Sequence, residues 1–225
     1  MMKIEGRKGG NIDLEEKFLS AITRQPKRRS GIHVTALREE CMKMSYLYHV
    51  KESPDFKPNK KNLLTFWIGR ELHKTPILAQ NELILDWNGI LGSCDDYENG
   101  VLVDKKTCTS IPSQAKDQDA RQVEYYALML KKRGKIVNRV YILYIDINNK
   151  DFVFHRVKVR PYDEIEAEMI SKRDILQKAK ETGVIPPRTL NWKCKYCYHR
   201  FECLNEKELE NLEYREIDYE LNREK

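Results

Sequence analysis

The dipeptide Asn99-Gly100 lies between the segment Gly89-Ile90-Leu91-Gly92-Ser93-Cys94-Asp95-Asp96-Tyr97-Glu98 and the segment Val101-Leu102-Val103-Asp104-Lys105-Lys106-Thr107. A two-residue hairpin loop favours residues that accept positive φ, and Asn-Gly between such runs is a strong short-range signal for one. With Asn99 and Gly100 as the loop, Glu98 faces Val101, Asp96 faces Val103 and Asp95 faces Asp104. Like charges directly opposed, with Cβ atoms about 5 Å apart, destabilise a hairpin. Two facing carboxylates therefore point to a shared cation or a shared proton. Strand alternation puts Lys106 on the Asp104 side and Lys105 on the other. Asp96 is turned away as well, so its removal is expected to be mild.

Two carboxylates and an ammonium on one hairpin face suit phosphodiester hydrolysis. The carboxylates hold a divalent metal that activates water, and the lysine steadies the hydroxide or the pentavalent phosphate. The plainer reading is a surface hairpin with solvated charges, which a chain that is 34% charged readily supplies. The opposed register favours the site.

Other elements follow from periodicity and punctuation. Met1–Gly10 is expected to be a loose arm and Leu14–Ile22 a short amphipathic helix, followed by the basic linker Gln25-Pro26-Lys27-Arg28-Arg29-Ser30. Thr35 is the expected N-cap of a helix that carries Cys41 and ends among Tyr46 and Tyr48. After a polar stretch with Pro54 and Pro58 comes a helix holding Gly69 and His73, where the missing side chain of Gly69 is expected to allow close approach to the sheet. Strands are expected at Ile77–Trp87, Ile90–Tyr97 and Val101–Thr109, then a helix from about Asp117 to Arg133 stopped by Gly134. Strands Arg139–Ile147 and Phe152–Val159 surround the turn Asn148-Asn149-Lys150, and Tyr162–Thr182 is a charged amphipathic helix. This order predicts an α/β core with a helical, cysteine-bearing subdomain.

Gln122 and Tyr126 are one helical turn apart and project together, as an ordinary helix shoulder with Tyr126 in the core or as part of a site. His73 is either a core histidine or a metal ligand. Cys194, Cys197 and Cys203 form a C-x2-C-x5-C run, with Cys41 about 150 positions earlier. Structural zinc commonly takes four ligands with C-x2-C spacing, and His199 offers it a substitute for Cys41. A distant fourth cysteine equally suits a [4Fe–4S] cluster, and spacing alone leaves the two open. Either centre ties the N-terminal helix to the C-terminal segment. Cys94 and Cys108 fall outside the set and are expected to pack beside the hairpin.

Several of these segments together resemble a known family. Gly92-Ser93-Cys94-Asp95, Asp104-Lys105-Lys106 and Gln122-Val123-Glu124-Tyr125-Tyr126 are similar to the G-x-x-D, (D/E)-x-K and Q-x-x-x-Y signatures of RecB-type nucleases in the PD-(D/E)XK superfamily. Gly69-Arg70-Glu71-Leu72-His73 resembles that group's helical histidine motif, and the cysteine pattern resembles the iron–sulfur exonucleases of the CRISPR-associated "Cas four" kind. The likeness runs from about residue 32 to residue 205 in the expected order. It departs at Asp104, where the family more often has Glu.

The resemblance implies a restriction-endonuclease-like α/β fold: a mixed sheet flanked by helices, with an iron–sulfur subdomain joining the two ends of the chain. The nuclease domain would span 31–205, after an arm and short helix over 1–30 and before a charged tail over 206–225. It implies a metal-dependent exonuclease acting on single-stranded DNA or overhangs, 5′-to-3′, that processes DNA for CRISPR spacer acquisition with the integrase proteins. His73, Asp95, Asp104 and the Lys105 carbonyl would bind Mn²⁺ or Mg²⁺, an imidazole making Mn²⁺ at least as plausible. Lys106 and Gln122 would serve catalysis, Tyr126 would meet the nucleic acid, and Cys41, Cys194, Cys197 and Cys203 would hold the cluster. A viral or mobile-element relative used in recombination is a second reading, and a catalytically weak DNA-binding specificity subunit a third.

Composition is compatible. The 225 residues suffice for one substantial core, and the net charge of +6 permits nucleic-acid binding without requiring it. No apolar run approaches a membrane span and the first residues lack a signal-peptide core, so a cytoplasmic protein is expected, with its six cysteines in thiol, metal or cluster roles rather than disulfides.

Overall fold

The computed structural model describes residues 14–23, 31–51 and 59–210. The expected arm, the basic linker, the stretch with Pro54 and Pro58 and the tail beyond residue 210 lie outside the described residues. The helices are α1 Leu14–Thr23, α2 Val34–Leu37, α3 Met42–Ser45, α4 Lys60–Lys74, α5 Asp117–Lys132, α6 Tyr162–Thr182, α7 Arg200–Cys203 and α8 Glu206–Glu210. The strands are β1 Ile32–His33, β2 Gln80–Trp87, β3 Ile90–Glu98, β4 Val101–Cys108, β5 Arg139–Asp146 and β6 Asp151–Val157. They form one mixed six-stranded sheet, so the molecule is α/β with helices flanking the sheet.

The hairpin register is the expected one where the ladder exists: Asp96 pairs with Val103, Tyr97 with Leu102 and Glu98 with Val101. Asn99 and Gly100 both have positive φ, as that loop requires. β4 then runs parallel to β5 from Val101 to Cys108, while β3 stays with β2 along its other edge. The edge of β3 that β4 leaves is taken up at its far end by β1, parallel, at Ile90 and Leu91. The sheet therefore forks between Gly92 and Asp95. The fork begins where the two opposed carboxylates would have met.

Alternation on β4 sorts the helices. Thr107 faces α4, its Oγ1 lying 3.5 Å from where a Cβ on Gly69 would stand. That is ordinary contact, so Gly69 is not demanded by a tight approach as the sequence suggested. Leu102 and Asp104 face the opposite layer, where α5 supplies a buried run from Gln122 to Leu130. α6 packs on α5 with Ile165, Met169, Leu176 and Ala179 buried, opening after Pro161 and stopping at Gly183 in the left-handed region. A half-buried polar clamp fastens it. Burial pushes the Glu168 carboxyl up, but Lys172, Tyr125 and Arg160 outweigh this and hold it down to about 2.

Two expected elements differ for local reasons. The single helix predicted from Thr35 through Cys41 is broken. Thr35 lies inside α2, and the chain leaves the helix at Arg38 because Lys172 Nζ donates to the carbonyls of Leu37 and Glu39 at 2.9 and 3.1 Å. Cys41 then caps α3, its Sγ accepting from the Met44 N–H, and the helix ends in a π turn over Tyr46–Val50. β2 starts three residues late, since the N–H groups of Ile77 and Leu78 donate to Asp96 Oδ1 at 2.9 and 3.1 Å instead of joining the ladder.

Candidate active site

The fork gathers residues from four elements. Asp95, freed from a ladder partner in β4, turns its carboxylate into the gap, where Oδ2 accepts the Lys105 N–H at 2.6 Å and meets His73 Nδ1 of α4 at 2.8 Å. Across the gap, Lys106 Nζ stands 2.7 Å from Asp104 Oδ2 and donates to Gln122 Oε1 at 3.2 Å. Gln122 Oε1 also takes Arg38 Nη1 at 2.5 Å, and its Nε2 donates to Tyr126 Oη at 2.8 Å. Two pure donors on one oxygen fix which way the amide points.

Electrostatics single out Asp104. It is buried, and its Oδ2 meets the Lys106 ammonium at 2.7 Å without an aligned donor, as Asp96 Oδ2 meets Lys105. Burial pushes its carboxyl above the ordinary value and Asp95 adds to this, while Lys106 pulls the other way. An under-bonded buried carboxylate beside a second carboxylate and an imidazole is a donor set that suits a divalent cation. As they stand, no three His, Cys, Asp or Glu side chains among the described residues are gathered closely enough to hold a metal ion.

Tyr126 stands apart from its expected role. Its ring is 3% exposed, and a Cβ on Gly92 would come within 2.8 Å of its Cε1, so Gly92 is the gap that admits the ring. In the core its hydroxyl supports Gln122, and its ring brings the G-x-x-D and Q-x-x-x-Y segments into direct contact. Cys94 is also buried there, and burial with the nearby aspartates pushes its thiol up to about 12, leaving it an inert packing group.

Two residues joined to this site gave no local signal in the sequence. Arg38 reaches Gln122 from 84 positions away. Asn81 bridges the elements, its Nδ2 donating to the His73 and Asp95 carbonyls at 3.2 and 3.1 Å. Asp96, expected to be dispensable, is fully buried and pairs with Lys105 at 2.7 Å. Lys105 also donates to the carbonyls of His73 and Thr75 at 2.8 and 2.7 Å, binding the end of α4 to β4.

A second cluster lies at the chain's ends. Cys41, Cys194, Cys197 and Cys203 line one pocket, together with His199. Backbone N–H groups point at the sulfurs: Met44 and Thr189 donate to Cys41 Sγ, and Asn191 to Cys194 Sγ, each at 3.4 Å. The segment is tied down from outside the pocket by Tyr198 N–H to Tyr48 Oη at 2.6 Å and by a Lys193–Glu39 ion pair.

No family model matches the chain, and no curated protein is significantly similar to it. Among solved structures it is similar to one described as "Crystal structure of SSO0001", at 15% identity and a TM-score of 0.49, over 84% of this chain and 92% of that one. Among the described residues, no helix is long and apolar enough to cross a membrane.

Proposed function

We propose that the chain is a divalent-metal-dependent nuclease of the RecB-like PD-(D/E)XK type, related to the CRISPR-associated "Cas four" kind, that removes nucleotides from single-stranded DNA ends or overhangs. The observation that carries this reading is Asp104: a buried carboxylate with an unbonded oxygen, 2.7 Å from Lys106, at a fork that also holds Asp95 and His73. Asp95, Asp104, His73 and the Lys105 carbonyl would hold Mn²⁺ or Mg²⁺, which supplies Lewis acidity and lowers the pKa of water. Lys106 neutralises charge developing on the phosphate, and Gln122, fixed by Arg38 and Tyr126, holds the Lys106 ammonium in place. Polarity of 5′-to-3′ and a place in spacer acquisition beside the integrase proteins belong to the same proposal.

In the same reading Cys41, Cys194, Cys197 and Cys203, which line one pocket, would hold a Cys₄-bound [4Fe–4S] cluster; this is supported by three backbone N–H groups already aimed at two of their sulfurs. Anaerobically purified protein is expected to be brown and to contain iron and sulfide. One zinc and no iron per chain would replace the cluster with a structural zinc site.

The activity test uses end-labelled linear and circular single-stranded DNA with and without Mn²⁺. Rapid loss of the linear strand beside slow cutting of the circle is the expected result. Equal cutting of both would remove the end-processing step, and no metal-dependent cutting of either would remove the nuclease reading.

A further inference from the structure

A pocket of about 140 Å³ opens between the end of α2, the start of α5 and the cysteine-bearing segment, lined by Arg38, Lys116, Arg121, Trp192 and Lys193. Glu40 and Asp117 also line it, and Asp119, Glu168 and Glu39 pair with Arg38, Arg121 and Lys193, so Lys116 is the lining cation that these pairs leave for a ligand. Trp192 is 64% exposed, a large aromatic surface left in water. It is held in place nevertheless. It opens the 3₁₀ turn Trp192–Tyr196, whose Asn191 cap accepts the Lys193 N–H, and Lys193 Nζ sits 5.9 Å from its ring centroid. Tyr196 packs edge-on against it at 6.2 Å. A pre-positioned ring beside a cationic pocket combines the two elements that bind single-stranded nucleic acid: charge for the phosphate and a π face for the base.

The pocket's place gives this combination a purpose. Arg38 forms one wall and donates to the Gln122 oxygen that also receives Lys106. One guanidinium therefore separates the pocket from the fork. We propose that the pocket holds a nucleotide flanking the scissile phosphate, with its phosphate on Lys116 and its base on Trp192. This rests on the nuclease reading and extends it. The cysteine segment then does more than close the fold, because Trp192 is two residues from Cys194 on the same turn.

The test measures equilibrium binding of a labelled oligothymidylate by anisotropy, in the absence of divalent metal, at several salt concentrations. Trp192→Ala is expected to weaken binding about tenfold, within the range that loss of one base stack produces. Trp192→Phe should keep most of the affinity. Lys116→Ala should reduce the salt slope by about one, as loss of one phosphate contact does. Both side chains are largely exposed, so unchanged thermal unfolding is expected alongside. Wild-type affinity and slope in both Lys116→Ala and Trp192→Ala, with wild-type protein that binds and cuts the strand, would overturn the pocket and leave the nuclease reading intact. Wild-type protein that neither binds nor cuts would overturn both. If polyglutamate competes with the strand and loses affinity equally in Lys116→Ala, the pocket belongs to an acidic protein partner and the proposal fails.

Discussion

Two adjacent lysines on β4 each meet an aspartate at 2.7 Å, and the two pairs do opposite work. Lys105 and Asp96 are 3% and 0% exposed. Asp96 Oδ1 accepts from two backbone N–H groups and Asn81, and Lys105 donates to two carbonyls at the end of α4. Lys106 and Asp104 are 19% and 1% exposed. In both pairs the carboxylate Oδ2 that faces the ammonium takes no aligned hydrogen bond, so the pairs differ in what else holds them. Lys105 and Asp96 are tied into the backbone around them and close the structure. Lys106 and Asp104 stand at the mouth of the fork, with Lys106 held by Gln122, where the proposed cation and phosphate would meet them.

The largest break in this comparison comes from the pair tied into the backbone. Asp96→Ala leaves the Lys105 ammonium buried without its counter-charge, a change that costs about 3–5 kcal/mol. That is a large share of the roughly 5–15 kcal/mol that holds a domain folded. Urea unfolding should show a much lower midpoint for Asp96→Ala and a nearly unchanged one for Asp104→Ala. Equal midpoints would end the division of labour between the pairs.

Lys106→Ala sharpens the other side. Removing one preorganised stabiliser of transition-state charge typically lowers turnover about 10²–10³-fold. Cleavage of a linear single strand should fall by that order, and the unfolding midpoint near pH 7 should fall as well, because the buried Asp104 loses the ammonium that offsets its burial; Lys106→Arg, which keeps the charge, should hold the midpoint. Retained cleavage would remove Lys106, and the fork with it, from the chemistry.

The sequence made the Lys106–Asp104 pair visible and hid the Lys105–Asp96 one. The Asn99-Gly100 loop fixes the register locally, and the observed pairs follow it as far as Asp96 and Val103. Whether the pairing continues depends on β1, 58 residues before its partner Ile90, taking the same edge of β3. No local pattern announces that fork. Asp96 is turned from Asp104 as the register predicts, but its hydrogen bonds to the Ile77 and Leu78 N–H groups come from outside the hairpin and left no sign in it. Helix α6 was legible end to end, since Pro161 and Gly183 bound it within the chain itself. The helix around Cys41 was not, because the lysine that interrupts it sits more than 130 positions away. Tyr126 belongs to the core through Gly92, a contact between two motifs that each look functional alone.

The smallest expected effect separates the pairs by sign. Burial, with Asp95 beside it, raises the Asp104 carboxyl above its ordinary value. A carboxyl that binds its proton more tightly in the folded chain than in the unfolded one contributes stability at low pH, below the unfolded value. That contribution is lost as pH rises through the raised folded value, so at neutral pH the ionised Asp104 weighs against the metal-free fold. Asp104→Asn removes the charge with little change of volume and should therefore raise the melting temperature of metal-free protein near pH 7 while abolishing cleavage. About 1 kcal/mol of relief corresponds to roughly 2–4 °C in a chain of this size. The gain should shrink as pH falls into the ordinary carboxylate range, where the wild-type side chain is itself protonated. A melting temperature that drops in Asp104→Asn at neutral pH would mean that the Lys106 contact outweighs burial, and that Asp104, like Asp96, stabilises the fold by its charge.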